Sequence, residues 1–407
     1  MFRCITELKG LIVDADSFSE VPVEKWKDIT RRYKCLFFVS DESTYREIVD
    51  LYGEDLTLKT ERFRRLFAPS PATHVRSLTL LGLGATEVAY VSQDNEFLNR
   101  AMGFLGAAIW ITPHISYEQA SFAPDLILRN FDSFNKLMKK DLKGFLGEVA
   151  VYPNEQGAGM IIPVEMDVDE EKIPLYMLGR YFGYSHFMNQ LHPYSTAIYF
   201  NKKEGKAYFG VFNDLFAKLF ARAVKNIQNN VTIDGIVAVP MRPGKPERFD
   251  RILAHVAEQC GITDYGHMFW CEEDYPVQKQ LSSLERQDNV SGVFRCNSEL
   301  AGKNIVIIDD IITTGSTMKE CVRTLKQSGV NEVYIAVLGI NQMRGNYWSS
   351  EVAQISCPNC GEKMRLLISR NADFFYSCFS CKQTMGFHKG REQLYAIVNN
   401  ELQDEMN

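Results

Sequence analysis

The 407-residue sequence has no hydrophobic run long enough to span a membrane, and its start, MFRCITELKG, lacks the basic-then-apolar pattern of a secretory signal. These two absences lead us to expect a cytoplasmic protein. Positive charge is not in excess either: 45 Lys and Arg stand against 51 Asp and Glu, a net −6. A general affinity for phosphate backbones is therefore excluded, and any nucleic-acid contact would need a local patch. Internal repeats, low-complexity tracts and a GK[ST] nucleotide loop are missing too, which sets aside solenoids, disordered tails and P-loop nucleotidases. What remains is an ordinary globular composition, 45% hydrophobic and 24% charged, with enough chain for two or three domains.

The ten cysteines fall into two populations. Cys4, Cys35, Cys260, Cys271, Cys296 and Cys321 are scattered singly, as small core residues are in a reducing compartment. The other four form two pairs, CPNC at Cys357 and Cys360 and CFSC at Cys378 and Cys381, with seventeen residues between them. Two-residue spacing lets both sulfurs of a pair reach one ion, and four thiolates leave no open position for a substrate. A structural Zn²⁺ is expected there, in a segment too short to build a core without it.

The pattern along the chain predicts an α/β protein in three parts. Over residues 1–147, aliphatic runs (GLIVDAD, CLFFVSD, EVAYVSQ, AAIWITP) alternate with amphipathic stretches, the rhythm of a parallel sheet, with a closing helix over roughly 128–147. Residues 150–345 form a second α/β region with strands at GIVAVPM, NIVIIDD and EVYIAVLGI, and residues 350–390 carry the four-cysteine segment.

In the second region, IVIIDDIITTGST at 305–317 is the most informative stretch. A buried strand ends in Asp309 and Asp310, and Met318, Cys321, Val322 and Leu325 give the next segment a helical face that runs to about Gly329. The loop thus lies where open α/β sheets bind ligands. N–H groups and hydroxyls at Thr313, Thr314, Gly315, Ser316 and Thr317 suit one phosphate, while the two acids suit the hydroxyls of the sugar carrying it or an accompanying cation. A sugar phosphate satisfies both halves.

Two acids followed by TTGST after a hydrophobic strand resemble the phosphoribosyl pyrophosphate (PRPP) motif of type I phosphoribosyltransferases. That resemblance implies that Asp309 and Asp310 hold the ribose hydroxyls, that Thr313 to Thr317 hold the 5′-phosphate, and that Mg²⁺ accompanies PRPP. QKQLSSLERQDNVSGVF, with Gln278, Leu281, Arg286, Asn289, Gly292 and Phe294, resembles the ComF-like (amidophosphoribosyltransferase-like) branch, and places Arg286 on pyrophosphate. Over VAVPMRPGKPERFD the likeness frays: Glu247, Arg248, Phe249, Asp250 and Arg251 replace the branch's Arg-Gly-Phe-Asn-Gln, leaving Arg242, Lys245 and Arg248 as candidate cations. The resemblance covers roughly residues 165–340, and here the cysteine pairs follow the transferase-like region instead of preceding it.

In the first region, GLIVDADSF and CLFFVSDES resemble motifs I and II of haloacid-dehalogenase (HAD)-like phosphatases, which implies roles for Asp14, Asp16 and Ser40, with Lys59 as a candidate charge-balancing lysine. The metal-binding motif departs from the family, because Gln93 and Phe97 stand where acids belong; little phosphatase activity is expected. Three functions stay open: Mg²⁺-dependent transfer of ribose 5-phosphate between PRPP and a nitrogenous base, PRPP sensing without catalysis, and a nucleic-acid role through Phe374, Phe375, Tyr376 and Phe379 beside Lys363, Arg365 and Arg370. The acceptor is not legible, although Tyr184, His186 and His192 are candidates to line its site.

Overall fold

The computed structural model of the protein describes residues 7–59, 69–134, 142–152, 158–206, 208–245, 247–272, 291–343 and 354–404. Its first sheet contains β1 (Gly10–Asp14), β2 (Lys34–Val39), β3 (Thr57–Lys59), β4 (Val88–Ser92), β5 (Ala107–Ile111) and β6 (Leu126–Leu128), all parallel and ordered β3-β2-β1-β4-β5-β6. Every residue of β1, β4, β5 and β6 is buried, which is why these strands read as unbroken apolar runs and not as alternating ones. The order reverses between β1 and β4, so the crevice at their carboxyl ends falls beside Asp14 and Ser92.

Next come β7 (Leu142–Phe145) and β8 (Ala158–Met160), a short parallel pair. The helix expected over roughly 128–147 is corrected in its last part: residues 131–134 are helical and 135–141 lie outside the described residues, but Leu142–Phe145 is a strand with an irregular register between Leu142 and Gly144, and Gly144 at φ +125° cannot sit in a right-handed helix. Helix Leu146–Ala150 follows it. The apolar spacing that reads as a helix face serves instead to bury Phe145 and Leu146.

The second sheet takes β9 (Ile162–Val168), β10 (Glu171–Met177), β11 (Arg180–Tyr181), β12 (Gly235–Ala238) and β13 (Thr263–Asp264). An antiparallel pair, β14 (Phe269–Cys271) and β15 (Phe294–Cys296), stands apart from it, and β16 (Asn304–Ile312) and β17 (Glu332–Asn341) complete it. The order is β13-β12-β16-β17-β10-β9, with β11 also on β17; β9 runs antiparallel to β10 and the other pairs are parallel. Its order reverses between β12 and β16, again placing a crevice at a pair of acids.

Sheet contacts lock the two regions together. Gln342 accepts from the Ala123 N–H at 2.9 Å and donates to the Ala120 carbonyl at 3.0 Å, while Met343 N–H donates to Ser121 and Glu165 N–H to Ile115, both at 2.9 Å. Nearby, buried Arg180 reaches Asp125 at 2.9 Å and forks onto Glu148 with two bonds of 2.8 Å. Burial works against these charges, but the paired geometry outweighs it: Glu148 is held well below the usual carboxylate range. The last sheet, β18 (Met364–Ile368), β19 (Phe374–Cys378) and β20 (Thr384–Gly386), is antiparallel. Helix Phe387–Asp404 follows it and returns to the first region, where Asn399 accepts from Thr86 N–H at 3.2 Å.

Candidate functional site

β16 carries Asp309 and Asp310 to its carboxyl end, and helix Ser316–Gln327 begins four residues after the strand. Gly315 sits between them at φ +81°, a conformation glycine adopts without strain. A Cβ there would also come within 3.3–3.4 Å of the Met166 methyl and the Tyr117 ring. The tight turn leaves the first N–H groups of the helix facing a cavity of about 560 Å³, lined by Asp309 to Thr317, by Val239 to Arg242 after β12, and by Lys202, Glu204, Lys245 and Arg248. A helix amino end and the hydroxyls of Thr313, Thr314, Ser316 and Thr317 make this wall of the cavity attractive to an anion.

The acids do not share one electrostatic state. Asp309 accepts from the backbone N–H of Asp310 at 2.7 Å, but burial and the neighbouring Asp310 carboxylate push its pKa up to about 7. Burial also works against charge on Asp310; Lys202 and Arg248 outweigh it and hold this carboxyl below its ordinary value. Arg248 donates to Asp310 at 2.6 Å and lies 3.3 Å from the Met241 sulfur, and the Lys202 ammonium is 3.6 Å from the same carboxylate. One acid is thus poised to change charge near neutrality while the other is fixed as an anion.

The structure brings Asp309, Asp310, Thr313, Thr314, Gly315, Ser316, Thr317, Arg242, Lys245 and Arg248 to one cavity. Arg286, with Gln278, Leu281 and Asn289, lies outside the described residues. Lys202 and Glu204, just past helix Pro193–Asn201, were missed: the run KKEGK carries no spacing that ties it to a strand end a hundred residues later. The acceptor candidates go elsewhere. His186 and His192 are buried and cap short helices, accepting from Met188 and Ser195 N–H, while Tyr184 is exposed and accepts from Arg365 at 2.9 Å.

In the first region the acids meet the protein's own donors. Asp16 accepts from the N–H groups of Ser40 and Asp41 and from the Ser40 hydroxyl, and Asp14 accepts from the Ser92 hydroxyl at 2.6 Å. Lys59 pairs with Glu42 at 2.6 Å and lies over the Tyr45 ring. Asp94 caps helix Asn95–Gly103 by accepting from Glu96 N–H, and Phe97 is core, packed edge-on against Phe38 and Tyr90. Phe97, at a position where a HAD-like metal motif would need an acid, is thus part of the hydrophobic interior.

The sulfurs of Cys357, Cys360, Cys378 and Cys381 all lie within 4.8 Å of one another, with three separations of 3.5 Å. A tetrahedral Zn²⁺ with bonds of about 2.3 Å needs sulfurs about 3.8 Å apart, so the donor set fits that ion. Each pair is followed by a left-handed residue, Gly361 at φ +75° and Lys382 at φ +63°, whose N–H closes the turn onto the first cysteine's carbonyl. Tyr376 stacks on Phe387, and Phe374 packs on both Phe387 and Phe212. These rings form the segment's core; Phe379, with Arg365 4.8 Å from its centroid, is exposed.

Three curated relatives show what the chain is similar to. It is 49% identical over 98 residues to the transcriptional regulator GfcR 2 of Methanosarcina barkeri, covering 23% of this chain and 48% of that protein. Over 115 residues it is 30% identical to the ribose-phosphate pyrophosphokinase of Pyrococcus abyssi (28% and 34% covered), and over 59 residues 36% identical to the DNA utilization protein YhgH of Escherichia coli (14% and 26%). The chain spans between a quarter and a half of the length of these relatives. Among solved structures, an allosteric regulatory enzyme of purine biosynthesis is 23% identical over 26% of this chain and 22% of its own, at a TM-score of 0.20. The family model of the phosphoribosyl transferase domain matches residues 214–352, the stretch that holds β12, β16, the loop of Thr313 to Thr317 and the cations Arg242, Lys245 and Arg248.

Proposed function

We propose that residues 150–345 bind PRPP with Mg²⁺ and transfer ribose 5-phosphate between PRPP and a nitrogenous base, as a member of the ComF-like branch of type I phosphoribosyltransferases. One observation carries this reading: a single cavity joins an anion-binding helix start, a pair of carboxylates and a set of cations. The N–H groups from Thr314 to Thr317 receive the 5′-phosphate, Asp309 and Asp310 accept from the ribose hydroxyls, and Arg242 and Lys245 meet pyrophosphate. In the transfer, the bond from the anomeric carbon to the pyrophosphate oxygen breaks with its electron pair leaving on pyrophosphate, and a base nitrogen forms the new bond. Positive charge that grows on the ring between these events is stabilised by Asp310, which Lys202 and Arg248 keep ionised. A Mg²⁺ bound with PRPP would add positive charge beside Arg242 and Lys245 to offset that of the leaving pyrophosphate.

A second reading, PRPP sensing without transfer, is supported by the 2.6 Å pair that Arg248 makes with Asp310 and by similarity to a protein named as a transcriptional regulator. Likeness to a DNA utilization protein gives the nucleic-acid role some support, with Arg365 and exposed Phe379 as its contact. In the same proposal residues 1–147 are a HAD-like domain without robust phosphatase activity and residues 350–390 a zinc ribbon. The test is thermal unfolding with PRPP and Mg²⁺: at 100 times its Kd the ligand contributes about 2.7 kcal/mol, and Asp310→Ala removes that response. Absence of a shift at millimolar PRPP rejects the proposal. Base-dependent pyrophosphate release then separates transferase from sensor.

A further inference from the structure

The phosphate loop of the second region is built partly by the first. Tyr117, in the short helix Tyr117–Ala120 after β5, donates its hydroxyl to the backbone carbonyl of Thr313 at 2.6 Å, across 196 residues of sequence. Its ring is 5% exposed and covers Gly315 at the distance where a Cβ would touch it. The segment holding Tyr117 is fixed at both ends, by Glu165 on Ile115 before it and by Gln342 and Met343 on Ala120, Ser121 and Ala123 after it. Burial pushes the phenol's pKa up, so the hydroxyl stays protonated and acts as a donor at all ordinary pH.

A peptide unit is planar and trans, so fixing a carbonyl fixes the next N–H in the opposite direction. With the Thr313 carbonyl held on Tyr117, the N–H of Thr314 turns away from Tyr117; Thr314 itself lines the cavity. The ring beneath Gly315 fixes the left-handed turn from which the N–H groups of Ser316 and Thr317 continue. We infer that Tyr117 is a positioning residue for the 5′-phosphate of a sugar phosphate, and hence that the first region completes the ligand site of the second. This inference rests on the PRPP reading and adds a residue that the phosphate-loop sequence does not contain.

The experiment compares full-length wild type, Tyr117→Phe and Tyr117→Ala by calorimetric titration with PRPP, ribose 5-phosphate and pyrophosphate, each with Mg²⁺. Phe keeps the ring on Gly315 and loses only the hydroxyl. We expect it to weaken PRPP and ribose 5-phosphate by about three- to tenfold, the range of one hydrogen bond, and to leave pyrophosphate unchanged. Ala, which also loses the ring, weakens the two sugar phosphates further. A general loosening of the fold would weaken pyrophosphate equally, and that result overturns the inference. Equal affinities in wild type and Tyr117→Phe overturn it as well, with the PRPP reading left standing. Wild type that binds none of the three ligands removes both.

Discussion

β1 and β16 are both central parallel strands, both lie at a point where the strand order reverses, and both deliver carboxylates to a crevice. They differ in what meets those carboxylates. After β1, Asp16 is saturated by Ser40 and Asp41 and Asp14 takes the Ser92 hydroxyl, while Lys59 is engaged on Glu42. After β16 the acids open on a cavity with Lys202, Arg242, Lys245 and Arg248 around it, and a glycine turn starts a helix against it. Acids at a switch point are thus a common product of the α/β plan. Whether they act depends on the charge and open volume that the following loops bring.

The largest effect should come from removing the ion expected between the cysteines, and it sharpens the comparison because it touches neither acid pair. We expect one zinc per chain. Structural zinc is worth about 10–16 kcal/mol to isolated finger peptides, so chelation should expose amide hydrogens across residues 354–386 to exchange. The response to PRPP should persist, since among the described residues the cavity lining includes nothing from this segment. Its hydrogen bonds to the second sheet's region include Arg365 on the Tyr184 hydroxyl at 2.9 Å and Leu366 N–H on Gln190 at 3.0 Å, and neither partner lines the cavity. Loss of the PRPP response on chelation would show that the second acid site depends on more than its own loops, and well under one zinc in a reduced preparation would remove the ion itself.

A smaller effect concerns pH and tests the second site by the sign of a slope. Asp309 has its pKa raised from an ordinary 3.8 to about 7 by burial and by Asp310. Between those values the folded protein binds a proton that the unfolded chain has lost, so stability falls as pH rises through the window, by at most about 1.4 kcal/mol per pH unit. Below pH 4 both states hold the proton and the contribution is fully present. Asp309→Asn carries no such charge, and should flatten the slope and unfold at a higher temperature than wild type at pH 8. Identical slopes in wild type and Asp309→Asn would mean that Asp309 is an ordinary ionised carboxylate, and the contrast between the sites would then lie in their cations alone.

How much of this was legible in the sequence follows the range of each interaction. The strand, the acid pair, the turn and helix Ser316–Gln327 are contiguous, so apolar run, acid, glycine and 3.6-residue spacing report them directly. The two cysteine pairs have the same advantage, since each turn is closed by the residue directly after it. Lys202 and Tyr117 were invisible because their partners lie more than a hundred residues away and neither sits in a pattern; only the folded sheets bring them to Asp310 and Thr313. The strand at Leu142–Phe145 was missed for the opposite reason, because local apolar spacing suggested a helix that a glycine at positive φ and the pairing with Ala158–Met160 overrule.

The smallest effect expected is none at all, and it bears on the first site. A phosphoaspartate mechanism brings a carboxylate to an anionic phosphoryl group, and a cation must offset the repulsion. At a position where HAD-like phosphatases would need an acid for that cation, Phe97 is 1% exposed and packed against Phe38 and Tyr90. Asp94 is spent on capping a helix, and Gln93 accepts the Trp110 indole N–H on its backbone carbonyl at 2.9 Å. The second acid is engaged too, because three donors from Ser40 and Asp41 fix Asp16 where a general acid would need to exchange a proton with a leaving group. Hydrolysis of generic phosphate esters with Mg²⁺ should therefore stay near background, and Asp14→Asn should change it by less than about twofold, since an oriented nucleophile and acid are what supply large factors. Robust Mg²⁺-dependent turnover that disappears in Asp14→Asn would mean that the loop after β4 rearranges to bring Asp94 or Glu96 onto an ion, and that both acidic strand ends of this protein act.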